Sequence, residues 1–188
     1  MSQPQLLSRV VRVLDSLGID YMITGSIASS IQGEPRSTHD IDIVVDVPTE
    51  ATAPLTSAFP PPDFLLQEAA VRDALKNQTM FNLLSLGDGE KVDFWILTNE
   101  PFDRSRFSRR RTFAIGDEHM NVSAPEDTIL MKLRWAKQCG GSEKQFKDAL
   151  RVFEVQARSL DSAYLDEWSN RLGVQDLWRQ IQDEAEIV

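Results

Sequence analysis

Asp40 and Asp42 stand two apart in the run Asp40-Ile41-Asp42-Ile43-Val44-Val45-Asp46-Val47, whose β-branched residues predict a strand. Side chains alternate along a strand, so both carboxylates project from one face while Ile41 and Ile43 project from the other. With Cα atoms roughly 7 Å apart, two such carboxylates can converge on one or two divalent cations. A solvated strand end would show the same spacing. Burial is costly unless something cationic sits against the pair. A third carboxylate, Asp93, lies inside Val92-Asp93-Phe94-Trp95-Ile96, a run otherwise suited to burial, so it needs a hydrogen-bonding partner or a metal. Upstream, Gly25-Ser26 falls where the strand Tyr21-Met22-Ile23-Thr24 gives way to a short helix through Ile31. A strand-to-helix turn of that kind offers backbone N–H groups and a positive dipole end to an anion.

These residues need a scaffold, and the rest of the chain supplies its signals. Leu6, Val10, Val13, Leu14 and Leu17 recur at helical spacing, with Gly18 as a stop. Residues 33–37 read as a loop. Weaker helices between 50 and 76 are broken by Pro60-Pro61-Pro62. Strands follow at 80–84 and 91–97, joined by a turn at Gly87-Asp88-Gly89, and at 112–115 and 120–122, joined across Gly116-Asp117. From Pro125 the pattern is helical, over 126–138, 143–157 and two weaker stretches within 161–185. The expected fold is α+β: a mixed sheet flanked by helices over 1–124, then a helical region over 125–188.

Within the helical region, Ile129, Lys132, Leu133 and Ala136 share one stripe, so Lys132 either snorkels outward or meets an anion. Asp148 shares a helix side with Val152 and Val155, opposite Phe146, Leu150 and Phe153. That predicts a sandwiched helix with Asp148 near an interior cleft, the alternative being a surface or salt-bridged carboxylate. Arg104, Arg106, Arg109, Arg110 and Arg111 form the densest run of cations. They can meet phosphates or pair with the acidic surplus, and strand alternation would send Arg109 and Arg111 to one face. Trp135, Trp168 and Trp178 read as packing residues, His39 as a loop neighbour of Asp40, and His119 as surface.

The 188 residues are 41% hydrophobic and 26% charged, with Lys+Arg 20 against Asp+Glu 29 and a formal net charge of -9. A chain this long can hide roughly 70% of its unfolded surface without disulfides or a structural metal. A single cysteine, Cys139, makes no internal disulfide, which fits a reducing cytosol. The first residues lack the basic and apolar regions of a signal peptide, and no apolar run approaches the ~18 residues of a membrane span. A cytoplasmic protein without membrane contact is expected. The acidic balance argues against coating nucleic acid by bulk charge.

The order strand, Gly25-Ser26, helix, Arg36-x-Thr38-x-Asp40-Ile41-Asp42, then Asp93 on a later strand resembles the DNA polymerase β-like nucleotidyltransferase superfamily. Ser123-Ala124-Pro125-Glu126-Asp127-Thr128-Ile129-Leu130-Met131-Lys132-Leu133, followed by Lys147-Asp148, is similar to the abortive-infection and toxin-antitoxin type nucleotidyltransferases. The resemblance implies that Asp40, Asp42 and Asp93 bind Mg²⁺, two ions in all, and that Asp93 helps to activate the acceptor hydroxyl. It implies that Gly25 and Ser26 hold the terminal phosphates of an NTP such as ATP. Arg36, Thr38 and Lys132 join them in nucleotide binding, and Lys132 and Asp148 are implied as further catalytic residues. The activity so implied is transfer of NMP from an NTP to an acceptor hydroxyl, on a tRNA 3′ end or a protein side chain, with a cognate toxin or antitoxin as possible partner. A small-molecule acceptor of the aminoglycoside type, or an inactive nucleotide-binding module, are the alternatives.

Overall fold

Leu6, Leu7, Val10, Val11 and Leu14 lie along one side of the first helix, α1 (Gln3–Ser16), and all are buried. Its start is fixed by a capping box, in which the Ser2 N–H donates to Gln5 Oε1 at 2.8 Å, and by Pro4 in the first turn. The structure, a computed structural model, describes residues 1–38, 40–115 and 118–187. The expected turn at Gly116-Asp117, and His39, lie outside the described residues.

After α1 the elements run β1 (Asp20–Thr24), α2 (Gly25–Gln32), β2 (Asp40–Asp46), a 3-10 turn (Thr49–Ala51), α3 (Thr52–Ser57), β3 (Phe64–Leu65) and α4 (Glu68–Asn77). Next come β4 (Met80–Ser85), β5 (Lys91–Ile96), α5 (Pro101–Ser108), β6 (Arg111–Ile115) and β7 (Glu118–Val122). The helices α6 (Pro125–Gln138), α7 (Glu143–Gln156), α8 (Ser162–Arg171) and α9 (Gln175–Glu184) complete the chain. It divides into two compact units, Met1–Thr24 with Thr38–Val122, and Gly25–Ser37 with Ser123–Val188.

The first unit carries a mixed sheet of order β3-β4-β5-β2-β1-β7-β6 among the described residues. β2 runs antiparallel to β1 and parallel to β5, and β5 runs antiparallel to β4. Register then sorts side chains into rows across four strands. Ile23, Ile43, Phe94 and Phe81 form one row, and all four are buried, with Phe81 and Phe94 stacked at 4.9 Å. On the other face, Met22, Val44, Trp95 and Met80 make an apolar row, and Met22 and Val44 pack with Leu97 and Phe107. One rung further along that second face the row turns polar: Thr24, Asp42, Asp93 and Asn82.

Two elements were not evident from the sequence pattern. β3 is only two residues long, and α5 occupies part of the arginine run. Pro101 at the start of α5 and Asp103 in its first turn favour a helix there. Strand alternation therefore does not govern Arg109 and Arg110; Arg109 caps α5 and only Arg111 enters β6.

In the second unit α6 packs on α7, and α2 packs on both. Gly33, just past α2, makes that approach close: a Cβ on it would stand 2.8 Å from the Val152 backbone N and 3.0 Å from the Arg151 carbonyl carbon. Gln32 is buried beside it, its amide donating to the Ser123 carbonyl, while Gln156 Nε2 donates to the Gln32 carbonyl at 2.8 Å. At the start of α6, Asp127 is fully buried and accepts from the Tyr164 hydroxyl at 2.7 Å. On α7 the buried side is Asp148, Ala149 and Val152, whereas Val155 is 62% exposed, so the helix is covered less completely than a sandwich requires. Phe153 meets Trp178 edge-on at 5.2 Å. Trp168 and Trp178 are buried, and Trp135 is 39% exposed.

Gly33→Ala pushes a methyl group into backbone atoms that cannot swing aside. It is expected to cost about 1–3 kcal/mol, the usual penalty for overpacking. The check is a urea unfolding curve, with an unchanged midpoint contradicting the close approach.

Candidate functional site

Asp42 and Asp93 are direct partners on the adjacent parallel strands β2 and β5, so their Cα atoms are one strand spacing, roughly 5 Å, apart. Asp40 is exposed at the start of β2, two residues from Asp42 and on the same face. The Asp40 N–H donates to Thr38 Oγ1 at 3.2 Å, which fixes the entry of the chain into β2. The structure thus brings the three predicted carboxylates to one end of one sheet face.

Their neighbours set the electrostatics. Trp95 Nε1 donates to Asp42 Oδ1 at 3.2 Å. Asp93 is buried and engaged at both oxygens: Lys91 Nζ lies 2.8 Å from Oδ2, and the Asn82 amide donates to Oδ1. Lys91 is itself the strand partner of Asp40. The hydrogen bond to Asp93 holds the Lys91 ammonium above its ordinary pKa against the opposing effect of burial, and the charges of Asp93, Asp40 and Asp42 add to it. One lysine therefore feels all three carboxylates.

Carboxylate oxygens are the donors that Mg²⁺ prefers, and a positive charge is plainly favoured on this face. The donor set fits a divalent cation. Among the described residues, however, no group of three or more His, Cys, Asp or Glu side chains stands ready to hold a metal ion, and here the cation against Asp93 is an ammonium.

The second unit gathers Ser26, Arg36, Lys132 and Asp148. Gly25 opens α2 with a φ of +64°, a left-handed conformation that glycine adopts without penalty, and Ser26 follows it into the buried interior. Arg36 grips Asp148 with two parallel bonds, Nε to Oδ1 at 2.8 Å and Nη2 to Oδ2 at 2.7 Å, and Nη2 also donates to Ser26 Oγ at 2.8 Å. Lys132, only 4% exposed, donates to Asp148 Oδ2 at 2.7 Å. Lys132 does not snorkel; it meets an anion, and the anion is a carboxylate of the chain itself. Burial pushes the Asp148 carboxyl up, but the bonds and charges of Arg36 and Lys132 outweigh it and hold the pKa below the ordinary value. Two cations thus converge on one carboxylate in this network.

Much of the arginine run is committed within the first unit. Arg104 pairs with Asp46 at 3.4 Å, Arg106 with Asp103 at 2.9 Å, and Arg110 with Asp20 at 2.7 Å while its guanidinium lies over Phe107. His119 is exposed. Three neighbours of the carboxylates went unnamed at the level of sequence. Lys91 stands two residues before Asp93, so strand alternation alone would have put both on one face. Asn82 and Thr24 reach the row only through strand pairing, which leaves no local signal.

No family model matches the sequence, and no curated protein matches it. Solved structures do match in fold. An antigenic nucleotidyltransferase-like protein from Paracoccidioides brasiliensis is 20% identical at a TM-score of 0.56, with 97% of this chain and 93% of that chain covered. ANT(2″)-Ia in complex with adenylyl-2″-tobramycin is 12% identical at a TM-score of 0.60, with 92% and 98% covered. The solution structure of the same antibiotic-resistance factor is 11% identical at 0.54, with 96% of each chain covered. The chain has the nucleotidyltransferase fold that the sequence resemblance implied, an α+β mixed sheet followed by helices.

Because the Asp148 carboxyl titrates lower in the folded state than in the unfolded one, the stability it contributes is present above the unfolded pKa, near 3.8, and is lost as pH falls through the depressed folded value. At neutral pH, Asp148→Asn is expected to cost about 3–5 kcal/mol by removing the carboxylate that Arg36 and Lys132 share. Unfolding curves from pH 7 to pH 2 should show that gap narrowing below about pH 4. A gap independent of pH would contradict the assignment.

Proposed function

We propose that this protein is a Mg²⁺-dependent nucleotidyltransferase that moves NMP from an NTP to an acceptor hydroxyl and releases pyrophosphate. The observation that carries the reading is the register of Asp42 with Asp93 on adjacent parallel strands, with Asp40 on the same face. Those three carboxylates would hold the metal. When bound, a divalent cation lowers the pKa of the acceptor hydroxyl and offsets charge on the leaving pyrophosphate. The chain's own part is to position and to shield. Asp93 helps to draw the proton from the acceptor hydroxyl as its oxygen bonds to the α-phosphorus and the bond to the bridging oxygen of the pyrophosphate breaks. Gly25, Ser26, Arg36, Thr38 and Lys132 are assigned to the nucleotide, where backbone N–H groups and charge-assisted bonds suit phosphate oxygens. Asp148 keeps Arg36 and Lys132 oriented for that task.

The acceptor follows from chemistry that is less local. The subgroup resemblance favours a tRNA 3′ end or a protein hydroxyl, in a cytoplasmic toxin-antitoxin setting with a cognate partner. The ion pairs of Arg104, Arg106 and Arg110 reduce the cationic surface available to a large RNA. That observation, with a fold relative of matching length seen with adenylyl-2″-tobramycin, supports a small hydroxylated acceptor as the second reading.

Incubating the protein with each labelled NTP, Mg²⁺ and a cell extract, then separating RNA, protein and metabolites, identifies the acceptor by the fraction that takes the label. Asp42→Ala should cut incorporation by at least about 100-fold, the scale on which a single electrostatic group at a reacting centre acts. Incorporation at the wild-type rate by that variant would overturn the assignment. Stabilisation by NTP and Mg²⁺ with no transfer to any fraction would identify an inactive binding module instead.

A further inference from the structure

We propose that Lys91 is the resident counter-cation of the carboxylate face, and that a divalent cation must displace its ammonium from Asp93 in order to bind there. Lys91 then sets how tightly metal is held. This inference rests on the nucleotidyltransferase reading of the same face.

Four observations carry it. Lys91 Nζ sits 2.8 Å from Asp93 Oδ2 while the Asn82 amide holds Oδ1, so both oxygens of the buried carboxylate are engaged. Lys91 opens β5 directly opposite Asp40, and Asp93 lies directly opposite Asp42, so the lysine shares one rung with the first acid and stands beside the rung of the other two on the same face. The two side chains differ in freedom: that of Lys91 is 40% exposed and that of Asp93 is 13% exposed. The cation can therefore swing into water while the carboxylate stays. Finally, a lysine is a single point charge on a flexible stem and lets go of a carboxylate without breaking a bidentate fork. The contrast with Arg36 is direct, because Arg36 holds Asp148 by two parallel bonds. An ordinary surface ion pair would have little consequence, but Asp93 is buried, and a cation against it offsets the cost of burying its charge. Metal and ammonium are alternatives for the same charge.

Mn²⁺ binding to the full chain without nucleotide, followed by titration calorimetry and by the electron paramagnetic resonance signal of free Mn²⁺, tests this on the wild type, Lys91→Met and Asp42→Asn. Displacement predicts that Lys91→Met binds Mn²⁺ at least about tenfold more tightly, because a competing unit charge at contact distance has gone. It also predicts that Asp42→Asn abolishes the binding. Affinity in Lys91→Met equal to or weaker than wild type overturns the proposal. If wild-type binding still requires Asp42, the metal-binding reading of the face stands and only the role of Lys91 falls. Absence of Asp42-dependent binding in both proteins overturns both. Lys91→Gln, equally unable to carry the charge, gives the same comparison should Lys91→Met fail to fold.

Discussion

Two carboxylates one strand spacing apart, Asp42 and Asp93, repel one another across a sheet face, and a cation against them offsets that cost. Much of the first unit follows from that constraint. The second face of the sheet carries Met22, Val44, Trp95 and Met80 in one row and Thr24, Asp42, Asp93 and Asn82 in the next. A single step of register separates packing from chemistry. Thr24 and Asn82 flank the acids with neutral hydrogen-bonding groups, Trp95 serves both rows by packing with one and donating to the other, and Lys91 supplies the charge. The opposite face, with Ile23, Ile43, Phe94 and Phe81, is left free to be wholly apolar and carries the rigid packing that holds the register.

The second unit solves the reverse problem. Here two cations converge and one carboxylate, Asp148, keeps them in place. Breaking this arrangement removes the carboxylate that both cations share, and the geometry of Arg36 is specific because guanidinium and carboxylate match as planar forks. A net charge of -9 on the whole chain says little about either site, since charges are sorted locally.

The central strands were legible because β-branched runs such as Ile41 to Val45 leave little choice, and α1 and α6 because their periodicity is strong. The acids on the sheet were legible from alternation alone. What the sequence could not display was pairing. Asn82 and Thr24 join Asp93 and Asp42 only because β4 and β1 lie where they do, and the partnership of Arg36 with Asp148 spans 112 residues. α5 was hidden behind an arginine-rich run whose helical signals, Pro101 and Asp103, are weak in hydrophobic pattern. The exposure of Val155 reflects which side of a helix finds a neighbour, which a helical repeat cannot specify.

The claim on which the rest depends is that the Asp40, Asp42 and Asp93 face receives a divalent cation together with a nucleotide. Crystals grown with Mn²⁺ and a non-hydrolysable NTP, examined by anomalous diffraction, test it most directly. The expected result is an anomalous peak within coordination distance, about 2.0–2.3 Å, of carboxylate oxygens of Asp42 and at least one of its two partners. Nucleotide density with the metal bound elsewhere, and those three carboxylates without a metal, would contradict it.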